Sequence, residues 1–169
     1  MAVGTMSCDV TTLLAKDHLK VGDKIIFKAD MVDWKDFELT TTVTKAYKVI
    51  SSVPSIDTSV CLTQTKQFNE TIISKYNDVQ LITISRDLPF ALKRACSGFI
   101  NSEHILLSDT NYREFGNYTK LYFTFNNLLA RSVIVLNQNN ETIYLQIVSL
   151  VSLEPNYDEV YQFLTTLQK

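Results

Sequence analysis

The chain has 169 residues, 46% of them hydrophobic, and 16 Lys and Arg against 18 Asp and Glu, a formal net charge of −2. That length and apolar content suit one sizeable core, so a single domain over 1–169 is expected, with 1–18 a poorly patterned N-terminal segment. Dispersed charge without a basic run excludes a nucleic-acid partner held through its phosphates. No stretch is apolar enough to span a bilayer, and the start lacks the basic and apolar regions of a secretory signal, which leaves the cytoplasm as the expected compartment.

In chain order, 46–53 reads as a buried strand, and after Pro54 a helix is expected from Thr58. Cys61, Thr65, Phe68 and Ile72 recur there at helical spacing, which places Cys61 in the first turn. A second strand is expected over 79–84, then a helix with Asp87 as its acceptor cap, Pro89 in its first turn and Cys96 toward its end. A third strand over 104–107 and a short helix over 111–118 follow. The β-rich runs 132–136 and 142–148 flank the polar turn Asn137-Gln138-Asn139-Asn140, the pattern of an antiparallel hairpin. Asn156 caps a final helix whose Tyr157, Val160, Tyr161, Leu164 and Leu167 share one stripe. The order β-α-β-α-β-α-β-β-α defines an α/β class with a mixed central sheet flanked by helices on both faces.

The cysteines carry the chemical interest. Cys8, Cys61 and Cys96 are too few for a disulfide framework, and no Cys-x-x-Cys pair is present. His18 and His104 are both far from a cysteine in sequence, and the glycines at 4, 22, 98 and 116 form no nucleotide fingerprint, so no metal or organic cofactor is expected. The thiolate is the nucleophilic form of cysteine, and a helix N-terminus favours it through unpaired N–H groups and the positive end of the dipole. Cys61 stands at such a terminus. The plainer alternative is that Cys61 is a small buried apolar residue, and that Cys96 merely packs its helix against the sheet. Thr58 caps its helix, a role compatible with a part in the chemistry. Arg131, opening an apolar strand, either pairs with a surface carboxylate or serves a buried site. Cys8 reads as an incidental thiol, and the Asn-x-Ser/Thr acceptors at Asn69, Asn117 and Asn140 as unused.

Pro54-Ser55-Ile56-Asp57-Thr58-Ser59-Val60-Cys61 resembles the peroxidatic site of peroxiredoxins. Together with Gln64-Thr65, Phe68-Asn69-Glu70, Leu19-Lys20-Val21-Gly22-Asp23, Ser85-Arg86-Asp87-Leu88-Pro89-Phe90-Ala91-Leu92-Lys93-Arg94-Ala95-Cys96, Leu107-Ser108-Asp109, Leu128-Leu129-Ala130-Arg131-Ser132-Val133 and Glu154-Pro155-Asn156-Tyr157, it resembles the thiol peroxidase branch, the atypical two-cysteine type. The segment Lys24–Asp30, the pair Lys66-Gln67 and the stretch Ser97-Gly98-Phe99-Ile100 depart from that family's pattern. The resemblance implies a thioredoxin-like fold and reduction of hydrogen peroxide or alkyl hydroperoxides. Cys61 would become a sulfenic acid, while Thr58, the N–H groups of the first helical turn and Arg131 meet the leaving oxygen and Pro54 lines the pocket. It further implies that Cys96 resolves the sulfenic acid to an intrachain Cys61–Cys96 disulfide after local unfolding of a helix end. Thioredoxin is the implied reductant, a homodimer the implied assembly. Two other functions compete: a redox sensor or thiol relay oxidised at Cys61, and an interaction protein that has lost activity.

Overall fold

The computed structural model describes residues 12–168, so Cys8 lies outside the described residues. Its strands are β1 (Lys28–Met31), β2 (Asp36–Glu38), β3 (Tyr47–Ser52), β4 (Val79–Ser85), β5 (His104–Ser108), β6 (Ser132–Leu136) and β7 (Thr142–Ile147). Between and after them run α1 (Leu39–Thr42), α2 (Ser59–Lys75), α3 (Pro89–Cys96), α4 (Glu114–Thr119) and α5 (Tyr157–Leu167). From β3 onward the expected order is found, including the β6–β7 hairpin and the Asn156 cap, whose side chain accepts from Glu159 N.

The strands form one seven-stranded sheet in the order β2-β1-β5-β4-β3-β6-β7. β3, β4 and β5 are parallel, and β1 and β6 join them antiparallel. Alternation along the strands sends side chains to two faces. Val49, Leu81, Val133 and Val135 pack against Phe68, Ile72 and Tyr76 of α2 and its cap and against Val160 and Leu164 of α5. Ile50, Ile82, Ile84, Ile134 and Leu136 point the other way, into a larger core with Phe115 of α4, Phe27, Phe37, Leu121 and Phe123. Each such fully buried Leu, Ile or Phe contributes about 1.5–3 kcal/mol relative to exposure. Leu14, in the segment the sequence left unpatterned, belongs to that core and bridges Phe123.

The β1–β2 hairpin and α1 are additions to the expected elements. The hairpin turns through Trp34, in the left-handed region at φ 65°, with Trp34 N donating to Met31 O at 2.9 Å. The indole of Trp34, itself 45% exposed, meets the Phe90 ring of α3 edge-on at 5.4 Å. One expectation is corrected: Asp87 does not cap α3. The N-cap is Leu88, without a side-chain cap, and Pro89 occupies the first turn. Asp87 is drawn away by other donors.

Candidate active site

β3 delivers the chain to the site and α2 leaves from it. Val53 N donates to Ile84 O at 3.0 Å, the last link to the parallel neighbour, and buried Pro54 then turns the chain out of the sheet. Thr58 is the N-cap of α2, extended at φ −92° and ψ 146°, with Oγ1 accepting from Cys61 N at 3.3 Å and donating to Ser55 O at 3.1 Å. The cap satisfies one of the orphan N–H groups of the first turn and fixes Cys61 within it. Cys61 is fully buried, whereas Thr58 is exposed.

Arg131 reaches the same sulfur from the sheet. β6 pairs with β3 so that Ser132 faces Ser52, and the residue before Ser132 therefore lies where β3 gives way to Pro54. The guanidinium is 2% exposed and donates three bonds: Nη2 to Cys61 Sγ at 3.4 Å, Nη2 to Val151 O at 3.1 Å and Nη1 to Gln64 Oε1 at 2.8 Å. Gln64 completes the strut by donating to Ser51 Oγ at 2.7 Å. Arg131 Nε is buried with no hydrogen-bond partner among the described residues. The surface-carboxylate alternative for Arg131 is not what the geometry shows, since none of its partners is acidic.

Asp87 ties the Cys61 loop to the entry of α3. Its Oδ1 accepts from Ser55 Oγ at 2.9 Å, and its Oδ2 from Ile56 N at 2.7 Å and Ser85 Oγ at 2.6 Å. Cys96, the last residue of α3, is fully buried in a cluster with Leu92, Leu106 and Ile56, the last from the Cys61 loop. Both described cysteines are free. Burial first, and the Asp87 carboxylate second, push the Cys96 thiol up to about 11. The structure thus gathers Cys61, Thr58 and Arg131 at one helix start, with buried Pro54 in the loop leading into it, and holds Cys96 in an adjoining apolar cluster. Gln64 and Asp87 were missed as site residues. Polar residues beside the apolar stripe of α2 and at a strand end signal a buried hydrogen-bonding duty, which is how both could have been found.

The redoxin family pattern matches residues 20–161. A thiol peroxidase of Aquifex aeolicus is 37% identical over 151 residues, covering 87% of this chain and 88% of the relative. A thiol peroxidase of Bacillus subtilis is 35% identical over 169 residues and covers 100% of both. The crystal structure of a peroxiredoxin-like protein from Aquifex aeolicus superposes with a TM-score of 0.81 at 35% identity, over 91% of each chain. The chain belongs to the redoxin family, in its thiol peroxidase branch, and its mixed sheet is the thioredoxin-like fold of that family. No helix among the described residues is long and apolar enough to cross a membrane.

Proposed function

We propose that the chain is a thioredoxin-recycled peroxidase for hydrogen peroxide and alkyl hydroperoxides. The Cys61 thiolate attacks the nearer peroxide oxygen; the S–O bond forms as the O–O bond breaks, and the distal oxygen leaves as water or alcohol once protonated. Charge grows on that leaving oxygen, so a preorganised donor lowers the barrier most there. The observation that carries the reading is the Arg131 guanidinium on Cys61 Sγ at 3.4 Å with its buried Nε still unpartnered, a fork able to serve sulfur and oxygen together. Thr58 Oγ1, on giving up its bond to Ser55 O, and the first-turn N–H groups are the remaining donors, and buried Pro54 stands where the chain turns from β3 toward α2.

Cys96 then attacks the Cys61 sulfenic acid to give an intrachain disulfide, which thioredoxin reduces by thiol–disulfide exchange. Family membership supports the peroxide substrate, the dithiol reductant, a single-domain homodimer and a cytoplasmic setting. The test is to add one equivalent of hydrogen peroxide to the reduced protein and map its peptides by mass. A Cys61–Cys96 bridge within one chain, with Cys8 still alkylatable, is expected; Cys61 bridged to Cys8 refutes the scheme. Burial of Cys96 also favours a second reading, a sensor whose long-lived sulfenic acid passes to a partner. High thioredoxin-coupled turnover excludes it.

A further inference from the structure

Asn69 lies on α2, eight positions past Cys61, and is 8% exposed. Its side-chain amide is committed to the stretch of chain just after Cys96. Nδ2 donates to Phe99 O at 3.1 Å, while Oδ1 accepts from Asn101 N at 2.9 Å and from His104 Nδ1 at 3.0 Å. The Asn101 N–H can only donate, which fixes the amide orientation; His104 Nδ1 therefore carries the proton, and Nε2 accepts from Thr83 Oγ1 at 2.8 Å. Burial pushes His104 down to about 3, so the ring is a neutral, single-tautomer strut. One turn earlier on α2, Lys66 Nζ stands 5.0 Å over the Phe99 ring.

What this stretch restrains is Cys96. Phe99 N and Ile100 N both donate to Cys96 O, at 3.2 and 3.1 Å. Because Cys96 is the C-terminal residue of α3, the helix cannot unwind from that end while 99–101 stays fastened to α2. A thiol buried in an apolar cluster is inert until it moves.

We propose that Asn69 is a positioning residue for resolution: a latch whose release of 99–101 frees Cys96 and thereby sets the lifetime of the Cys61 sulfenic acid. The inference rests on the two-cysteine reading above. In the gated step the Cys96 sulfur attacks the Cys61 sulfur; the S–S bond forms, the S–OH bond breaks, and hydroxide leaves with the Cys96 proton as water. While the latch is closed, a second peroxide competes: it transfers one oxygen to the sulfenic acid, giving sulfinic acid and water or alcohol.

Asn69→Ala removes all three bonds, and Asn69→Asp sets a carboxylate oxygen against Phe99 O. Reduced protein is mixed with one equivalent of hydrogen peroxide and quenched into dimedone at intervals. Loss of the Cys61 thiol should keep its wild-type rate in both variants. The dimedone-trappable fraction should decay about tenfold faster in Asn69→Ala, the order expected when a few modest hydrogen bonds cease to hold the closed form. Sulfinic acid formed under excess peroxide should fall in parallel. An unchanged sulfenic lifetime in folded variants overturns the latch. The wild type gives an independent check: the Asn101 amide should be protected from hydrogen exchange in the reduced protein and exchange fast in the disulfide form, and equal protection in both states overturns the latch as well. A wild type that never forms the Cys61–Cys96 bridge gives a different result, overturning the two-cysteine reading and the latch with it.

Discussion

Replacing Arg131 by Lys keeps a cation on a long stem but removes the planar fork. One ammonium cannot serve Gln64 Oε1, Val151 O and Cys61 Sγ together, since the guanidinium reaches them through two different nitrogens. Loss of one preorganised donor to a developing oxyanion costs about 10²–10³ in rate, and that fall is expected in the peroxide step. Folding is not spared. Arg131 is 2% exposed and braces β6 against α2, and the loss of one or two hydrogen bonds to a charged donor costs about 2–4 kcal/mol. The assay is stopped-flow peroxide consumption under saturating reductant, read beside thermal unfolding of the same preparation. A variant with a lowered Tm but turnover within about threefold of wild type would make Arg131 a strut alone, and the charge-stabilisation argument would fail.

In Cys96→Ser, Cys61 should still lose its thiol to the first peroxide, but the sulfenic acid should persist, progress to sulfinic acid and lose thioredoxin-coupled turnover; full coupled activity refutes resolution by Cys96. A Cβ on Gly116 would lie 2.9 Å from Arg86 Cζ and 3.1 Å from Asp109 Oδ2, so Gly116→Ala should break the buried Arg86–Asp109 pair. The expected cost is about 3 kcal/mol, measured by denaturant unfolding, and a change below about 1 kcal/mol counts against the clash. For His104, burial holds the folded group at about 3 against an ordinary 6.5, so the unfolded chain binds the extra proton. Its share of stability is complete above the ordinary value and is lost as pH falls from there toward the folded one, at up to about 1.4 kcal/mol per pH unit. A His104→Asn variant should show a flatter stability profile in that window; an unaltered slope removes His104 as the cause.

Long, patterned elements were legible and short or polar ones were not. The apolar stripe of α2 and the capped start of α5 follow from spacing and cap chemistry, because local sequence dictates both. β1 and β2, with 4 and 3 residues and charged positions in each, carry too little alternation to stand out; pairing with β5 and with each other holds them. Asp87 looked like a cap because Asp before Pro suits a helix start. The seryl hydroxyls of Ser55 and Ser85 and the N–H of Ile56 claim the carboxylate first, and those contacts arise only when β3 and β4 lie side by side. Asn69 read as an idle glycosylation acceptor, yet its amide is buried and bonded to 99–104, a partnership spanning about thirty residues that no local pattern announces.

The edge-on contact between Trp34 and Phe90 gives the molecule a built-in optical signal. Trp34 is the chain's only tryptophan, and its ring rests on the helix that ends in Cys96. When that helix loosens, the indole loses its aromatic neighbour and meets more water, so its emission should shift to the red without any attached dye. The hairpin with no cysteine of its own would then let the kinetics of thiol chemistry be followed by ultraviolet fluorescence on the native protein, with Phe90→Ala, which lacks the ring contact from the start, as the control that shows no such shift.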